Sequence, residues 1–528
     1  MGSVELAILF VWRIGSQAVM MKDERMKKDI GFLVMAMFLC GLLPHAQAAT
    51  PNIVYILADD LGYGDVHCLN PDRGKIPTPH MDQLAADGMV FTDAHSSSSV
   101  CTPTRYGILT GRYNWRTHLQ KSVLNGYSPP LIAKDRLTVA GLLKEQGYNT
   151  AVIGKWHLGL SMPTTDGKAA KASNVDWKGV ISNSPVHHGF DYFYGISASL
   201  DMHPYIYIEN DRFVGECTVR KNFWKNREGP AHADFEAVDV LPEIGRRTVA
   251  FIMQQKADNP FFVYVALTSP HSPISVAPEW QGKSPMGQYG DFVMQTDHVI
   301  GVIADAVDSA GFGENTLLVV TSDNGCSATP SNAPALEAQG HYSSAQYRGF
   351  KSDLWEGGHR VPFIVRWPEV VKAGAECDQT ICLTDLMATA AELSGAQIPA
   401  NAGEDSVSFL PALRGKPIDS TRNGVIHHSI GGYFAYRQGP WKLLLARGSG
   451  GWTAPKEEAA IEAGAPVAQL YDMEKDPGET NNLYESRPEV VERLLKLLEA
   501  DVTAGRSTRG TASKNDVDHV VLWKNGEK

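Results

Sequence analysis

Cysteine is scarce in this chain: seven residues in 528, widely and irregularly spaced. Six remain once an N-terminal leader carrying Cys40 is set aside, and five if Cys101 has a chemical role. An odd, scattered set is not the framework of a disulfide-stapled module, although Cys377 and Cys382 are close enough in sequence to be bridged. Long apolar runs are also missing. The run at 31–43 has too few residues for a membrane helix, which needs about 20, so no membrane insertion is expected. Positive charge is not in excess: 48 Lys and Arg against 59 Asp and Glu give −11, which excludes a general affinity for nucleic acid or anionic lipid. An anionic substrate must then be held by a local cluster of cations. Repeats and low-complexity tracts are absent, and 43% hydrophobic with 20% charged residues excludes collagen, coiled coil and a disordered chain.

What is present begins with a leader. Lys27 and Lys28 precede the apolar run, and Ala46-Gln47-Ala48 follows it, the order of a secretory signal with cleavage before Ala49 and export to the periplasm or medium. Residues before Met26 read as an upstream extension, and Cys40 after Leu39 lacks the small neighbour expected of a lipid-anchored cysteine. Beyond it, β-branched runs at 52–58, 150–153, 261–267, 316–321 and 361–366 alternate with helical patterns at 80–87, 137–146, 243–255 and 289–310. This is the rhythm of an α/β fold, a large doubly wound mixed sheet flanked by helices. After about residue 415 the pattern changes to short strands at 425–430, 432–437, 441–446 and 468–473 and an amphipathic helix at 488–499. The expected division is 1–48 leader and extension, 49–415 catalytic α/β domain, and 416–528 a smaller α+β unit with an antiparallel sheet and a polar tail lying over the surface.

The chemistry sits after the strands. Asp59-Asp60 follows the first, Gly154-Lys155-Trp156-His157 the second, Thr268-Ser269-Pro270-His271 the third and Ser322-Asp323-Asn324-Gly325 the fourth. In open α/β sheets ligands bind outside the carboxyl ends of strands, so one rim collects these groups. Asp59, Asp60, Asp323 and Asn324 offer only oxygen, which suits a hard cation; crowded carboxylates favour Ca²⁺, with Mg²⁺ possible. Cys101-Thr102-Pro103-Thr104-Arg105 reads as a helix start, with Pro103 in the first turn and Cys101 or Thr102 as the cap. A low-pKa cysteine at a helix N-terminus is one reading of Cys101 and a buried thiol the other. The pairs His187-His188 and His427-His428 read as solvent-facing or supporting residues.

Taken together, Cys101-Thr102-Pro103-Thr104-Arg105 followed by Leu109-Thr110-Gly111-Arg112 resembles the signature of type I, formylglycine-dependent sulfatases of the alkaline phosphatase superfamily. The resemblance continues through the four strand-end motifs, Gly349-Phe350-Lys351, Glu356-Gly357-Gly358-His359-Arg360-Val361-Pro362, and Leu470-Tyr471-Asp472 with Asp476-Pro477. It implies a sulfuric ester hydrolase in which Cys101 is matured to Cα-formylglycine by a formylglycine-generating or anaerobic sulfatase-maturing enzyme. The hydrated aldehyde attacks sulfur with one hydroxyl, and the other expels sulfate as the aldehyde re-forms. The metal is held by Asp59, Asp60, Asp323, Asn324 and residue 101. Arg105 orients the hydrate, Lys155 and Lys351 neutralise sulfate oxygens, His157 deprotonates the second hydroxyl and His271 protonates the leaving oxygen. Residues 106–120 and 189–202 resemble bacterial carbohydrate sulfatases acting on 6-O-sulfated galactose or N-acetylgalactosamine, which implies a sulfated glycan attacked from its chain end; Asp201, His203 and Arg360 are candidates to read its hydroxyls. Two other outcomes stay open: a formylglycine-dependent phosphonate or phosphodiester hydrolase, and a silent protein that binds sulfated glycan.

Overall fold

Strands form where the β-branched runs place them. The computed structural model describes residues 50–419 and 421–524; the expected leader and its cleavage position lie outside the described residues. Asn52–Asp59, Asn149–Lys155, Phe261–Pro270 and Thr316–Ser322 are buried along almost their whole length, as strands covered on both faces must be. Asn52–Asp59 is central and pairs in parallel with Phe261–Pro270 on one side and Thr316–Ser322 on the other. Asn149–Lys155 continues the parallel set beyond Phe261–Pro270. The register sets Leu57 beside Ala266 and Thr321, and Ala266 beside Gly154, so the carboxyl ends of four strands are level.

Antiparallel Phe363–Arg366 on one flank and parallel Tyr192–Ile196 on the other extend a mixed ten-stranded sheet. Strand alternation divides its core. Ile53, Tyr55 and Leu57 face one helical layer with Ile108, Leu109 and Leu142, while Val54, Ile56 and Ala58 face the other with Ile244, Ile300 and Val307. The helices Pro79–Ala86, Val139–Glu145 and Gly287–Ser309 match expectation within two residues. Ala237–Met253 starts six residues before its expected position and carries Pro242 inside; its apolar stripe of Val240, Leu241, Ile244 and Ile252 outweighs the lost hydrogen bond. Strands as short as Met89–Phe91 and Ala375–Cys377 carry too little periodicity to be foreseen.

The later strands, Val425–His428, Phe434–Gln438, Trp441–Leu444 and Gln469–Asp472, pair antiparallel in chain order under the helix Pro488–Thr503. Tyr113 and Trp115 share their core with Val425, Phe434 and Leu494, and residues from Thr50 onward form one compact unit. The tail does more than cover surface. Buried Arg112 donates to Asp516 (3.0 Å) and the Lys514 carbonyl (2.8 Å), and buried Arg116 donates to Asn515 (3.0 Å). Cys377 and Cys382 are not bridged: both are free thiols, at the ends of two separate short strands.

Candidate active site

The level strand ends bring the charged groups to one edge. Asp59 closes its strand, and Asp60 turns the chain with φ 66°. Lys155 closes Asn149–Lys155, and His157 follows with φ 56°. Left-handed backbone at such residues costs about 1–3 kcal/mol and persists where surrounding contacts over-determine it. Asp323 and Asn324 follow Thr316–Ser322 and His271 follows Phe261–Pro270, while Lys351 arrives on a loop whose N–H donates to the Cys326 carbonyl (2.8 Å). The surrounding loops are wedged tightly: a Cβ on Gly325 would lie 1.9 Å from the Gly357 carbonyl and one on Gly357 would lie 2.1 Å from the Gly349 carbonyl, which explains the glycines of both motifs. Cys101 is the first residue of the helix Cys101–Thr110, with Val100 at the cap, so the helix starts one residue earlier than a cap at Cys101 implies and two earlier than a cap at Thr102.

Three carboxylates and three cations interlock there. Lys155 Nζ lies 2.7 Å from Asp59, Lys351 Nζ 2.6 Å from Asp60, and Arg105 donates to Asp323 at 2.7 and 3.0 Å. Asn324 Nδ2 donates to Asp60 (2.8 Å). Yet Asp59 Oδ1, Asp60 Oδ2 and Asn324 Oδ1 are buried without a hydrogen-bond partner. Arg105 Nη2 stands 3.7 Å from Asp59 Oδ1, and His271 Nε2 stands 3.7 Å from Asp60 Oδ2. Orphaned buried oxygens are costly, and an all-oxygen set of this kind fits a hard divalent cation. Asp59, Asp60 and Asp323 with Asn324 are thus able to hold one. Burial and the adjacent Asp59 push Asp323 up to about 6, whereas Asp59, although buried, is held well below the carboxylate range by Lys155, His271 and Arg105.

The two histidines are held differently. His157 Nε2 donates to the Leu124 carbonyl (2.8 Å), and Nδ1 is left buried and unpartnered. Burial, and then Lys155, hold this imidazole well below its usual pKa, so Nδ1 presents a lone pair able to take a proton. His271 Nδ1 faces the Ser272 carbonyl (2.5 Å) and the Ser199 hydroxyl (3.2 Å), which turns Nε2 toward Asp60. Burial raises the Cys101 thiol, only partly offset by Lys155 and Lys351. This corrects the low-pKa reading: an unmodified Cys101 is a protonated, weak nucleophile. The Leu124 and Ser272 carbonyls had no sequence signal, because any residue supplies a carbonyl. Ser199 was within the segment read for substrate contacts but was not singled out.

Asp201 and His203 lie on the same loop as Ser199, whose hydroxyl meets His271. Asp201 is buried, pairs with Arg227 (2.6 Å) and leaves Oδ1 unpartnered; His203 Nδ1 meets the Tyr127 hydroxyl at 2.9 Å. Arg360 does not join this cluster. Its guanidinium pairs with Asp93 and Glu356 (3.0 Å) and donates to the Thr92 carbonyl, while Nε lacks a partner and the side chain lines a separate cavity with Tyr347 and Arg437.

Of the two histidine pairs, three residues are buried supports and one faces solvent. His427 and His428 are fully buried, and His188 is buried against Trp156, leaving only His187 exposed. Ring nitrogens of His95, His359 and His427 converge closely enough to suggest a metal. However, the rings of His359 and His427 stack face to face, 3.8 Å apart and 11° from parallel, and one ion cannot lie in both ring planes. The trio is a packed stack.

With this geometry in view, comparison with known proteins is decisive. A family model described as Sulfatase matches residues 51–396, and one described as N-sulphoglucosamine sulphohydrolase, C-terminal, matches 349–505. The chain belongs to the sulfatase family. It is a sulfuric ester hydrolase of the alkaline phosphatase superfamily. This sulfatase is 33% identical over 497 residues to an N-acetylgalactosamine-6-O-sulfatase of Bacteroides thetaiotaomicron, covering 85% of this chain and 93% of that protein. Human arylsulfatase A is 32% identical over 484 residues, covering 87% and 89%. A solved Bacteroides thetaiotaomicron structure, described in work on glycosaminoglycan metabolism, superposes with a TM-score of 0.75 at 33% identity over 86% of this sulfatase and 99% of that chain. No helix among the described residues is long and apolar enough to cross a membrane.

Proposed function

We propose that this sulfatase is exported and removes sulfate from carbohydrate, with 6-O-sulfated galactose or N-acetylgalactosamine at a chain end as the favoured substrate. The observation that carries the reading is the meeting of Cys101 with Lys155, Lys351 and Arg105 around three orphaned oxygens. Three carboxylates against three cations balance; a bound dication leaves the site positive, which is what an incoming sulfate ester requires in a chain whose net charge is −11. The relative that acts on N-acetylgalactosamine-6-O-sulfate supports the choice of sugar.

Residue 101, matured to formylglycine, supplies a gem-diol in which one hydroxyl attacks sulfur and the other releases sulfate as the carbonyl returns. A divalent ion on Asp59, Asp60, Asp323 and Asn324, Ca²⁺ or Mg²⁺, supplies charge that polarises oxygen. The remaining work belongs to the chain. Arg105, fixed by Asp323, orients residue 101. Lys155 and Lys351 hold sulfate oxygens, with Asp59 and Asp60 keeping their ammonium groups in place. His157 takes the proton of the second hydroxyl on the Nδ1 left free by its bond to Leu124. His271, its Nδ1 proton bound to Ser272, protonates the leaving oxygen from Nε2, a step worth about 10²–10⁴-fold. Asp201 and His203 read sugar hydroxyls.

Mass spectrometry of the peptide spanning residue 101, with hydrazide labelling, tests the maturation. A panel of defined sulfated monosaccharides and oligosaccharides tests the substrate, and sulfate and phosphonate esters of one phenol separate a sulfatase from a phosphonate hydrolase. A carbonyl at 101 with release of sulfate from 6-sulfated sugars is expected. An unmodified thiol in protein still releasing sulfate at full speed would overturn the mechanism, and binding without turnover would favour a glycan-binding role.

A further inference from the structure

Trp452 is 52% exposed, and no other tryptophan among the described residues is classed as exposed. Everything leading to it is packed tightly. Residues 448–453 read Gly-Ser-Gly-Gly-Trp-Thr. The Trp452 N–H donates to Ser352 Oγ (2.9 Å) and Asp353 Oδ1 (3.0 Å), and the Thr453 N–H donates to the same Asp353 oxygen (3.2 Å). A Cβ on Gly451 would lie 2.4 Å from the Ser352 carbonyl, so only glycine permits the approach. Ser352 and Asp353 directly follow Lys351, whose Nζ sits 2.6 Å from Asp60. The segment from the small sheet is thus fastened beside a cation of the active site, yet its largest side chain stays in solvent. A fixed, exposed indole offers a flat apolar face at little ordering cost.

Two lysines flank the adjoining loop. A Cβ on Gly431 would lie 2.9 Å from the Gly450 carbonyl, and one on Gly432 would lie 3.3 Å from Lys524 Cε and 3.4 Å from Lys121 Cβ. Lys121 Cβ and Lys524 Cε therefore both border Gly432, one loop from Trp452; neither lysine has an ion pair among the described residues, and the Lys524 ammonium lies 5.8 Å from the centre of the Phe434 ring. Burial, and then Lys121, lower the pKa of Lys524, as expected of a cation facing another cation. The same stretch leads into the site: the Ser122 N–H donates to Ile430 (2.8 Å), and the Leu124 carbonyl holds His157.

We propose that Trp452, Lys121 and Lys524 form a subsite for a second, anionic sugar unit, joined to the one that loses its sulfate. The indole stacks on the C–H face of that ring, and the two ammonium groups take its carboxylate or sulfate. The inference rests on the reading of this enzyme as a carbohydrate sulfatase. It assigns recognition of the neighbouring unit to the C-terminal part of the chain and chemistry to the large sheet.

The test uses matured enzyme and kcat/KM on four substrates: the preferred 6-sulfated monosaccharide, and that sugar linked to a uronic acid, to a sulfated sugar or to a neutral sugar. Wild type should favour the anionic disaccharides over the monosaccharide about tenfold or more. Trp452→Ala should lose about tenfold on every disaccharide, mostly in KM, with a loss several-fold smaller on the monosaccharide, and Trp452→Phe should retain most of the gain. Lys121→Gln with Lys524→Gln should lose most on the disaccharide whose anion the pair reads, uronate or sulfate, and flatten the salt dependence of KM. Equal losses on all four substrates, no loss on any, or a wild type indifferent to the second unit would overturn the subsite alone. Wild type that cleaves nitrophenyl sulfate but no sugar sulfate would overturn the subsite together with the carbohydrate reading.

Discussion

Two buried clusters in this protein are built from the same parts list. At the strand ends, Asp59, Asp60 and Asp323 oppose Lys155, Lys351 and Arg105; below the loop that leads to Cys101, Asp93, Glu356 and Glu479 oppose Arg360, Arg437 and Lys442. Both contain histidines. In the second, Lys442 sits 2.9 Å from Glu356 and 2.8 Å from Glu479, and Arg360 joins Asp93 and Glu356. Its His359 and His427 spend their ring faces on each other. Glu356 Oε1 and His427 Nε2 there also lack a hydrogen bond, but Glu356 Oε1 faces the Lys442 ammonium at 2.9 Å, whereas in the first cluster two carboxylate oxygens, an amide oxygen and His157 Nδ1 are left without partners near Cys101. Composition does not separate a reaction centre from a structural one. The separation lies in which lone pairs the fold leaves unspent, and where they point.

The sharpest break of that comparison is at residue 101. Cys101→Ala should lower sulfate release by roughly 10⁴-fold or more while leaving the fold intact, checked by ion chromatography and circular dichroism. Next, chelation or Asp60→Asn should cost on the order of 10²–10³-fold in kcat, and for the chelated parent Ca²⁺ or Mg²⁺ should restore it. Activity indifferent to chelation would remove the reason for the orphaned oxygens. His271→Ala should cost about 10²–10⁴-fold on sugar sulfates and clearly less on nitrophenyl sulfate, whose phenolate leaves without a proton. Equal losses on both would remove His271 from that role.

The second cluster should answer in stability. Lys442→Met strands two buried carboxylates and should cost about 3–5 kcal/mol in denaturant unfolding, with KM unchanged in the folded fraction. The smallest effect concerns Asp501, which accepts from Tyr436 (3.1 Å) and is pushed up to about 7 by burial and by Asp405. The folded chain keeps this proton while the unfolded chain releases it near 4, so its contribution is present at low pH and falls as pH rises from about 4 through 7. Asp501→Asn should therefore melt on the order of 2 °C above the parent at pH 8 and level with it at pH 4. A gap independent of pH would assign the effect to packing.

Much of the active site was legible because its residues are contiguous with strand ends: Asp59-Asp60, Lys155, His157, His271 and Asp323-Asn324 each follow an apolar run recognisable by itself. For Arg360 a motif reports that an arginine is required, not that its guanidinium pairs with Asp93 and Glu356. For His427 and His428 the sequence left solvent-facing and supporting roles open, because a paired polar residue on a short strand has no local sign of burial; both are buried, with His427 packed against His95 and His359. Pro242 hid a helix start for the opposite reason, a local signal overruled by the apolar stripe around it.

The order of residues alone determined that parallel strands would form and that each would end in a charged or polar group, since β-branched runs and the residues that stop them are adjacent in the chain. It also singled out Cys101, because the spacing of cysteine, proline and arginine is local. Only tertiary structure decided which oxygens remain unpaired, which histidine nitrogen carries the proton, and that Trp452 is tied to Ser352 across a hundred residues of chain. Those properties depend on hydrogen-bond partners brought in from distant segments, and no local pattern encodes a partner that arrives from elsewhere.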